Sequence, residues 1–391
     1  MTGADDSVTG GDDGVTGADD GVTRADDGVN GADDGVNGAD GGVTGADDGV
    51  TGADGLAVDV VDVHVVGVLH SFLADLLQKG VAGNDFRSMY KDIGIGLQNN
   101  VISSNVEGTQ KQLVDLMHSG DGVRLSFATG ECGNEKWAGV SADTFAKANI
   151  GLLKSHGIQY TISTGGKKDV FTCSSKSGAD KFLMRYLTPQ LQGLDFDIEV
   201  EMSTDQLSNL MKSVFYLQQM KPKLTISFTL ASSASTGPDA SSINELGKSV
   251  LTAARKAGLK FVVNLMTMNY GSTPSQWICV VDDNQKCDMG ASAIQAANNL
   301  NKKHGVPFTE IALTPMIGMN DITNEIFTIE DMQMVLEFGK NYRLAGLHYW
   351  SFDRDRQCPD SPVAASPTCS GVEQGPLQYY NLLMGRGHTE L

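Results

Sequence analysis

Residues 192–199 read Gln-Gly-Leu-Asp-Phe-Asp-Ile-Glu. Three carboxylates, Asp195, Asp197 and Glu199, fall at i, i+2 and i+4, and Leu194, Phe196 and Ile198 separate them. Side chains alternate along a strand, so the acids share one face and the apolar residues the other. Packing three neighbouring carboxylates together is costly, because each loses hydration and repels the rest. A strand that keeps such a set is expected to use it, since function is the usual reason for bearing the cost. The pattern predicts a parallel barrel strand with its apolar face against helices and its acidic face inward.

Other stretches carry groups that could join this strand. Ser163-Thr164-Gly165-Gly166 closes the preceding apolar run, and its small residues would let backbone approach the acids closely. Asn264-Leu265-Met266-Thr267-Met268-Asn269-Tyr270-Gly271 closes a later run, and Met316-Ile317-Gly318-Met319-Asn320-Asp321 follows the next. His348-Tyr349-Trp350-Ser351 ends the last one. The three tryptophans, Trp137, Trp277 and Trp350, all lie at or after expected strand ends. Aromatic rings gathered on one rim suit stacking against the C–H faces of a pyranose. Trp137 and Trp277 are equally well read as loop anchors, and Asn320 and Asp321 as sugar contacts or as a helix cap.

The order and spacing of these four motifs resemble the family 18 glycoside hydrolases, the chitinase-type barrels, over about residues 120–387. The acidic strand matches D-G-x-D-x-D-x-E, with Gln192 in place of the first Asp. Ser163, Gly165 and Gly166 match S-x-G-G; Met268 and Tyr270 match M-x-Y, with Asn269 where Asp is usual. The resemblance implies that Glu199 is the acid and base. Asp197 would orient the substrate acetamide, Asp195 would share a proton with Asp197, Tyr270 would hold the acetamide from the other side, and Trp350 would floor the sugar site. Glu199 is expected to titrate high because of the neighbouring acids. It further implies hydrolysis of β-1,4 linkages between N-acetylglucosamine units, retaining and substrate-assisted, with no metal or organic cofactor. The expected partner is chitin or an N-acetylglucosamine oligosaccharide. An endo-β-N-acetylglucosaminidase acting on N-glycans uses the same residues, and a non-catalytic glycan-binding barrel usually loses the glutamate.

These motifs need a frame that brings strand ends together. From residue 123 onward, β-prone runs alternate with helical ones. Strands are expected at 123–129, 158–163, 194–199, 223–230, 260–268, 308–315 and 345–351. Helices are expected at 142–156, 176–187, 204–220, 243–257, 291–303 and 329–342. This alternation predicts an α/β chain, a (β/α)8 TIM barrel, whose chemistry sits at the carboxyl ends of the strands. Only seven strands are legible. The first should lie upstream, with 58–69 and 92–98 as candidates. The expected organisation is a repeat segment over 1–55, a poorly defined barrel start over 56–120 and the catalytic barrel over 121–391.

Charge is unevenly spread. Of the net −19, residues 1–54 contribute −13, from fourteen Asp and one Arg, which leaves an ordinary balance for the rest. Those residues repeat Thr-Gly-Ala-Asp-Asp-Gly-Val with small variations. One valine per heptad cannot offset chain entropy, so the segment is expected to be disordered. Nothing in the charge suits nucleic acid. The apolar stretch 56–77 is broken by Asp59, Asp62 and Asp75, against a membrane span. No secretory signal is evident at Met1. Six cysteines, all in expected loops, nevertheless suit disulfides and an extracellular, monomeric protein. Cys279–Cys287 and Cys358–Cys369 pair by proximity, and Cys132–Cys173 remain.

Overall fold

A computed structural model describes residues 87–238, 242–360 and 362–386. The repeat segment and the candidate strand at 58–69 lie outside these residues. Eight parallel strands close on themselves: β1 (Arg87–Asp92), β2 (Gly122–Glu131), β3 (Gln159–Gly165), β4 (Leu191–Asp197), β5 (Thr225–Ala231), β6 (Val262–Thr267), β7 (Ile311–Pro315) and β8 (Gly346–Trp350). Each pairs with its sequence neighbours, and β1 pairs with both β2 and β8, so the sheet has no open barrel edge. This is the (β/α)8 barrel that the alternation predicted.

The first strand is neither of the expected segments. It is Arg-Ser-Met-Tyr-Lys-Asp at 87–92, and the candidate at 92–98 begins where it ends. The strand hides because its inward residues are polar. Ser88 bonds His348 Nδ1 at 2.8 Å, and the Tyr90 hydroxyl donates to Asp195 Oδ2 at 2.9 Å.

Six helices follow strands β2 to β7: α1 (Ala142–Ser155), α2 (Lys176–Tyr186), α3 (Thr204–Met220), α4 (Glu245–Lys256), α5 (Met289–His304) and α6 (Ile329–Tyr342). Short polar side chains start them. Ser203 and Gln206 form a reciprocal capping box on α3, and Thr328 with Asp331 does so on α6. A short α7 (Gln378–Leu383) closes the turn after β8. Between strands and helices runs the apolar core, including Met89, Leu194, Phe196, Phe228 and Leu265. Phe171, Phe196 and Phe228 pack in sequence outside β4 and β5, as the alternation of the acidic strand required.

All three disulfides form as expected, Cys132–Cys173, Cys279–Cys287 and Cys358–Cys369. Each ties loops on the carboxyl side of the strands. Among the described residues no helix is long and apolar enough to cross a membrane, and no cluster of His, Cys, Asp and Glu could hold a metal ion.

Candidate active site

The barrel interior is polar at the level of β4. Asp195 is fully buried, and four hydroxyls donate to it. Tyr90 and Ser163 reach Oδ2, at 2.9 and 2.7 Å; Ser227 and Thr229 reach Oδ1, at 2.5 and 2.8 Å. Beneath it Arg124 places Nη1 3.5 Å from Oδ1. Asn264 extends the network, donating to Tyr90 and Thr229 at 2.9 Å each, while Thr314 donates to its carbonyl at 2.8 Å. Asp195 thus has the donors that a buried carboxylate needs.

Asp197, one pleat further along, is also buried but differently served. Its Oδ1 has no hydrogen-bond partner. Burial first, then the charges of Glu199 and Asp195, push its carboxyl well above the usual range. Asp197 is thus the acid whose proton is held more tightly, where Asp195 collects hydrogen bonds.

Glu199 was expected to end the strand. The strand stops at Asp197, and Glu199 stands two residues beyond, half-buried on the loop. Its carboxyl is raised mainly by burial; Asp321 adds to the rise, and Lys167 opposes it. Desolvation thus leads, Asp197 and Glu199 repel one another as expected of neighbouring acids, and a further acid comes from the loop after β7. Lys167 and Asp321 were not legible as partners, since 32 and 122 residues separate them from Glu199.

Gly165 and Gly166 behave as expected of a close approach. A Cβ on Gly165 would sit 2.2 Å from the Asp197 carbonyl oxygen, and its φ is +89°. The Gly166 amide donates to that same oxygen at 3.0 Å. A Cβ on Gly166 would strike the Phe127 ring at 2.8 Å. Phe127 in turn stacks on Trp350, with centroids 5.7 Å apart and planes 16° apart, and Tyr90 lies 6.0 Å from the same indole. Trp350 is half-buried at the end of β8, so an aromatic floor adjoins the acids.

Tyr270 lies just past β6. Its hydroxyl is buried beside Ser232 and Thr267 without a well-formed hydrogen bond, and burial pushes it well above the usual tyrosine range, leaving a neutral phenol. Met268 is half-buried next to it. The preceding Asn269 has φ +54° and donates through Nδ2 to Asp321 at 3.1 Å. Asparagine tolerates this left-handed backbone better than most residues.

Several expected contacts are corrected. Trp137 is fully buried, stacked 4.2 Å from Phe145 and donating to the Tyr186 hydroxyl at 2.8 Å; it is core, out of reach of a sugar. Ser163 is buried and serves Asp195 rather than the cleft. Asn320 is buried too; it donates to the carbonyls of Met316 and Gly318 at 2.9 and 3.0 Å, and it shapes its own loop. Neither it nor Asp321 caps α6, whose cap is Thr328. Gln192 bonds Gln159 at the far end of β4, so the missing Asp is replaced by an amide pair away from Glu199. Trp277, by contrast, is 53% exposed, lying over Gly237 on the rim beyond β5 and β6. Beside the loops after β1 and β8 a hollow of about 390 Å³ is lined by Ser104, Asn105, Gln110, Asp353 and Arg356.

Comparison with known proteins agrees with this geometry. No family model matches the chain. It is similar to Endochitinase 11 of Metarhizium anisopliae, 27% identical over 225 residues that make up 53% of this chain and 42% of that protein. A probable bifunctional chitinase/lysozyme of Escherichia coli (strain K12) is 28% identical over 225 residues, 53% of this chain and 24% of that one. The chain spans less than half the length of these curated relatives. Among solved structures, the catalytic domain of a hyperthermophilic chitinase from Pyrococcus furiosus superimposes with a TM-score of 0.59 at 24% identity, over 78% of this chain and 97% of that one. Catalytic-site mutants of active domain 2 of a thermostable chitinase from the same organism, complexed with chito-oligosaccharides, give 0.59 at 22% identity, over 78% and 99%.

Proposed function

We propose that this chain, a family 18 chitinase-type barrel, is a glycoside hydrolase that cleaves β-1,4 bonds between N-acetylglucosamine units with retention. One observation carries the reading. Two buried polar groups, Asp197 Oδ1 and the Tyr270 hydroxyl, lack good partners, while a raised glutamate stands two residues beyond Asp197 on the same rim. A 2-acetamido group would satisfy both. The similarity to proteins named as chitinases, one of them solved with chito-oligosaccharides, supports the same substrate class.

The chemistry follows from the protonation states. Protonated Glu199 donates to the glycosidic oxygen as the bond to the anomeric carbon breaks. The acetamide carbonyl oxygen of the same sugar attacks that carbon and forms an oxazolinium ion, the substrate-assisted route. As the ring nitrogen becomes positive, Asp197 gives the shared proton over to Asp195, and as a carboxylate it accepts the acetamide N–H and offsets that charge; Tyr270 donates to the acetamide oxygen. Asp195, held by four hydroxyls with Arg124 beside it, lies fixed behind Asp197 to take that proton. Glu199, now ionised, takes a proton from water, which opens the oxazolinium on its original face. No metal is called for in these steps. The three disulfides fit a secreted protein.

Glu199→Gln keeps shape and loses the transferable proton, so turnover on N-acetylglucosamine oligomers should fall by ~10²-fold or more while binding survives. NMR of fresh products should show the β anomer first. An α anomer first, or equal cleavage of oligomers without the acetamido group, would sink the mechanism. Product sizes from chitin oligomers and from N-glycans separate this reading from an endo-β-N-acetylglucosaminidase.

A further inference from the structure

We propose that Glu325 is the residue that positions Tyr270, gripping its backbone rather than its ring. This rests on the reading of Tyr270 as an acetamide donor. Glu325 belongs to the loop between β7 and α6, and its side chain is wholly buried. Its two carboxylate oxygens divide between successive amides. Oε2 accepts from Tyr270 N at 3.0 Å, and Oε1 from Gly271 N at 2.8 Å. No cation is paired with it among the described ion pairs. Its own segment is tied down in turn: its amide donates to the Ile322 carbonyl, and its carbonyl accepts from Asn320 N, at 2.9 Å each.

A buried carboxylate without a cation is an expensive way to satisfy two amides, since water or a neutral amide side chain could serve each. What it adds is a fixed two-point grip. The segment needs one. Asn269 turns at φ +54°, Tyr270 follows directly, and the phenol then enters a buried space where its hydroxyl, beside Ser232 and Thr267, makes no well-formed hydrogen bond. With its tip only loosely held, the ring direction is set mainly by the backbone. The clamp at residues 270–271 therefore decides where the phenol points. A shift near 1 Å at such a group is enough to cost about 10²-fold in rate. Nothing local in the chain marks this role, because Glu325 lies 55 residues beyond Tyr270 in a stretch with no motif.

The test uses the full chain with Glu325→Gln, Glu325→Ala, Tyr270→Phe and the variant that combines Glu325→Gln with Tyr270→Phe. Glutamine keeps an acceptor at one of the two positions and sets an NH2 donor against the amide at the other. Hydrogen exchange at the Tyr270 and Gly271 amides should quicken at least ~10-fold in both Glu325 variants, with amides of β4 and β6 unchanged. On N-acetylglucosamine oligomers, kcat should fall about 10- to 100-fold in Glu325→Gln with KM within about threefold. The same change made on Tyr270→Phe should cost almost nothing further. Unchanged exchange would overturn the clamp, whatever the activity. Faster exchange with normal kcat, or an equal loss in the parent and Tyr270→Phe backgrounds, would overturn the positioning role. If the parent chain fails to cleave these oligomers, the proposed substrate is wrong, and exchange still decides the clamp.

Discussion

Arg124 Nη1 stands 3.5 Å from Asp195 Oδ1, with both side chains buried inside the barrel. Arg124 comes from β2 and Asp195 from β4, so the cation sits under the acidic strand from the side opposite Glu199. It also donates to Ser88 and Ser227 at 3.2 Å each. Removing it leaves a carboxylate with hydroxyl donors but without its counter-charge.

Arg124→Met should therefore lower unfolding free energy by about 3–5 kcal/mol. Urea denaturation measures this. Adding Asp195→Asn should restore much of the loss, because the uncompensated charge goes with it. Additive losses in the double variant would show that Arg124 acts through its serine bonds alone.

Asp197 gives a pH test with a definite sign. Its folded-state carboxyl is raised by burial and by Glu199 and Asp195. The folded state thus holds the proton more tightly than the unfolded state. Its contribution to stability is present below the ordinary carboxylate range and is lost as pH rises toward the raised folded value. Asp197→Asn has no such loss. The variant should match the parent in Tm near pH 4 and exceed it increasingly up to pH 8, while turnover falls. A constant difference across that range would mean that Asp197 is ionised in the folded protein.

The two loop tryptophans should separate cleanly. Trp137→Ala removes a buried ring packed on Phe145 and should cost about 3–5 kcal/mol. Trp277→Ala removes an exposed ring and should change stability by no more than about 0.5 kcal/mol. If Trp277 stacks on sugar, KM for long oligomers rises and KM for the shortest cleaved oligomer does not. Equal KM values for every length would make it a loop anchor.

Residues 1–54 hold −13 of the net charge and almost no large apolar side chains. Their deletion should leave Tm and kinetics on soluble oligomers unchanged and raise the isoelectric point. Charges on such a chain are screened within about 8 Å at physiological salt, too short a range to tune Glu199. A calcium-dependent rise in Tm that vanishes on deletion would give the repeat a structural role.

Much of this was legible because it is local. Period-two alternation in 194–197 is a property of one strand, and it correctly sent Asp195 and Asp197 inward and Phe196 to the helices, while Glu199 lies on the loop beyond. The glycine pair at 165–166, the tryptophan at the end of β8 and the loop cysteines are likewise short-range signals. What failed was which distant side chains meet once the barrel closes. The first strand looked like no strand, because Ser88 and Tyr90 face a polar interior instead of an apolar core. Trp137 shared its position after a strand with Trp277, yet one is enclosed by Phe145 and Tyr186 and the other is half in solvent. Arg124, Lys167 and Glu325 were silent, and Asp321 was read only as a sugar contact or cap, since a lone charged residue announces nothing until its partner is known. Those partners lie 32 to 122 residues away. Chain pattern selects which face a residue takes; only the closed barrel selects which buried charge meets which, and hence which acid keeps its proton.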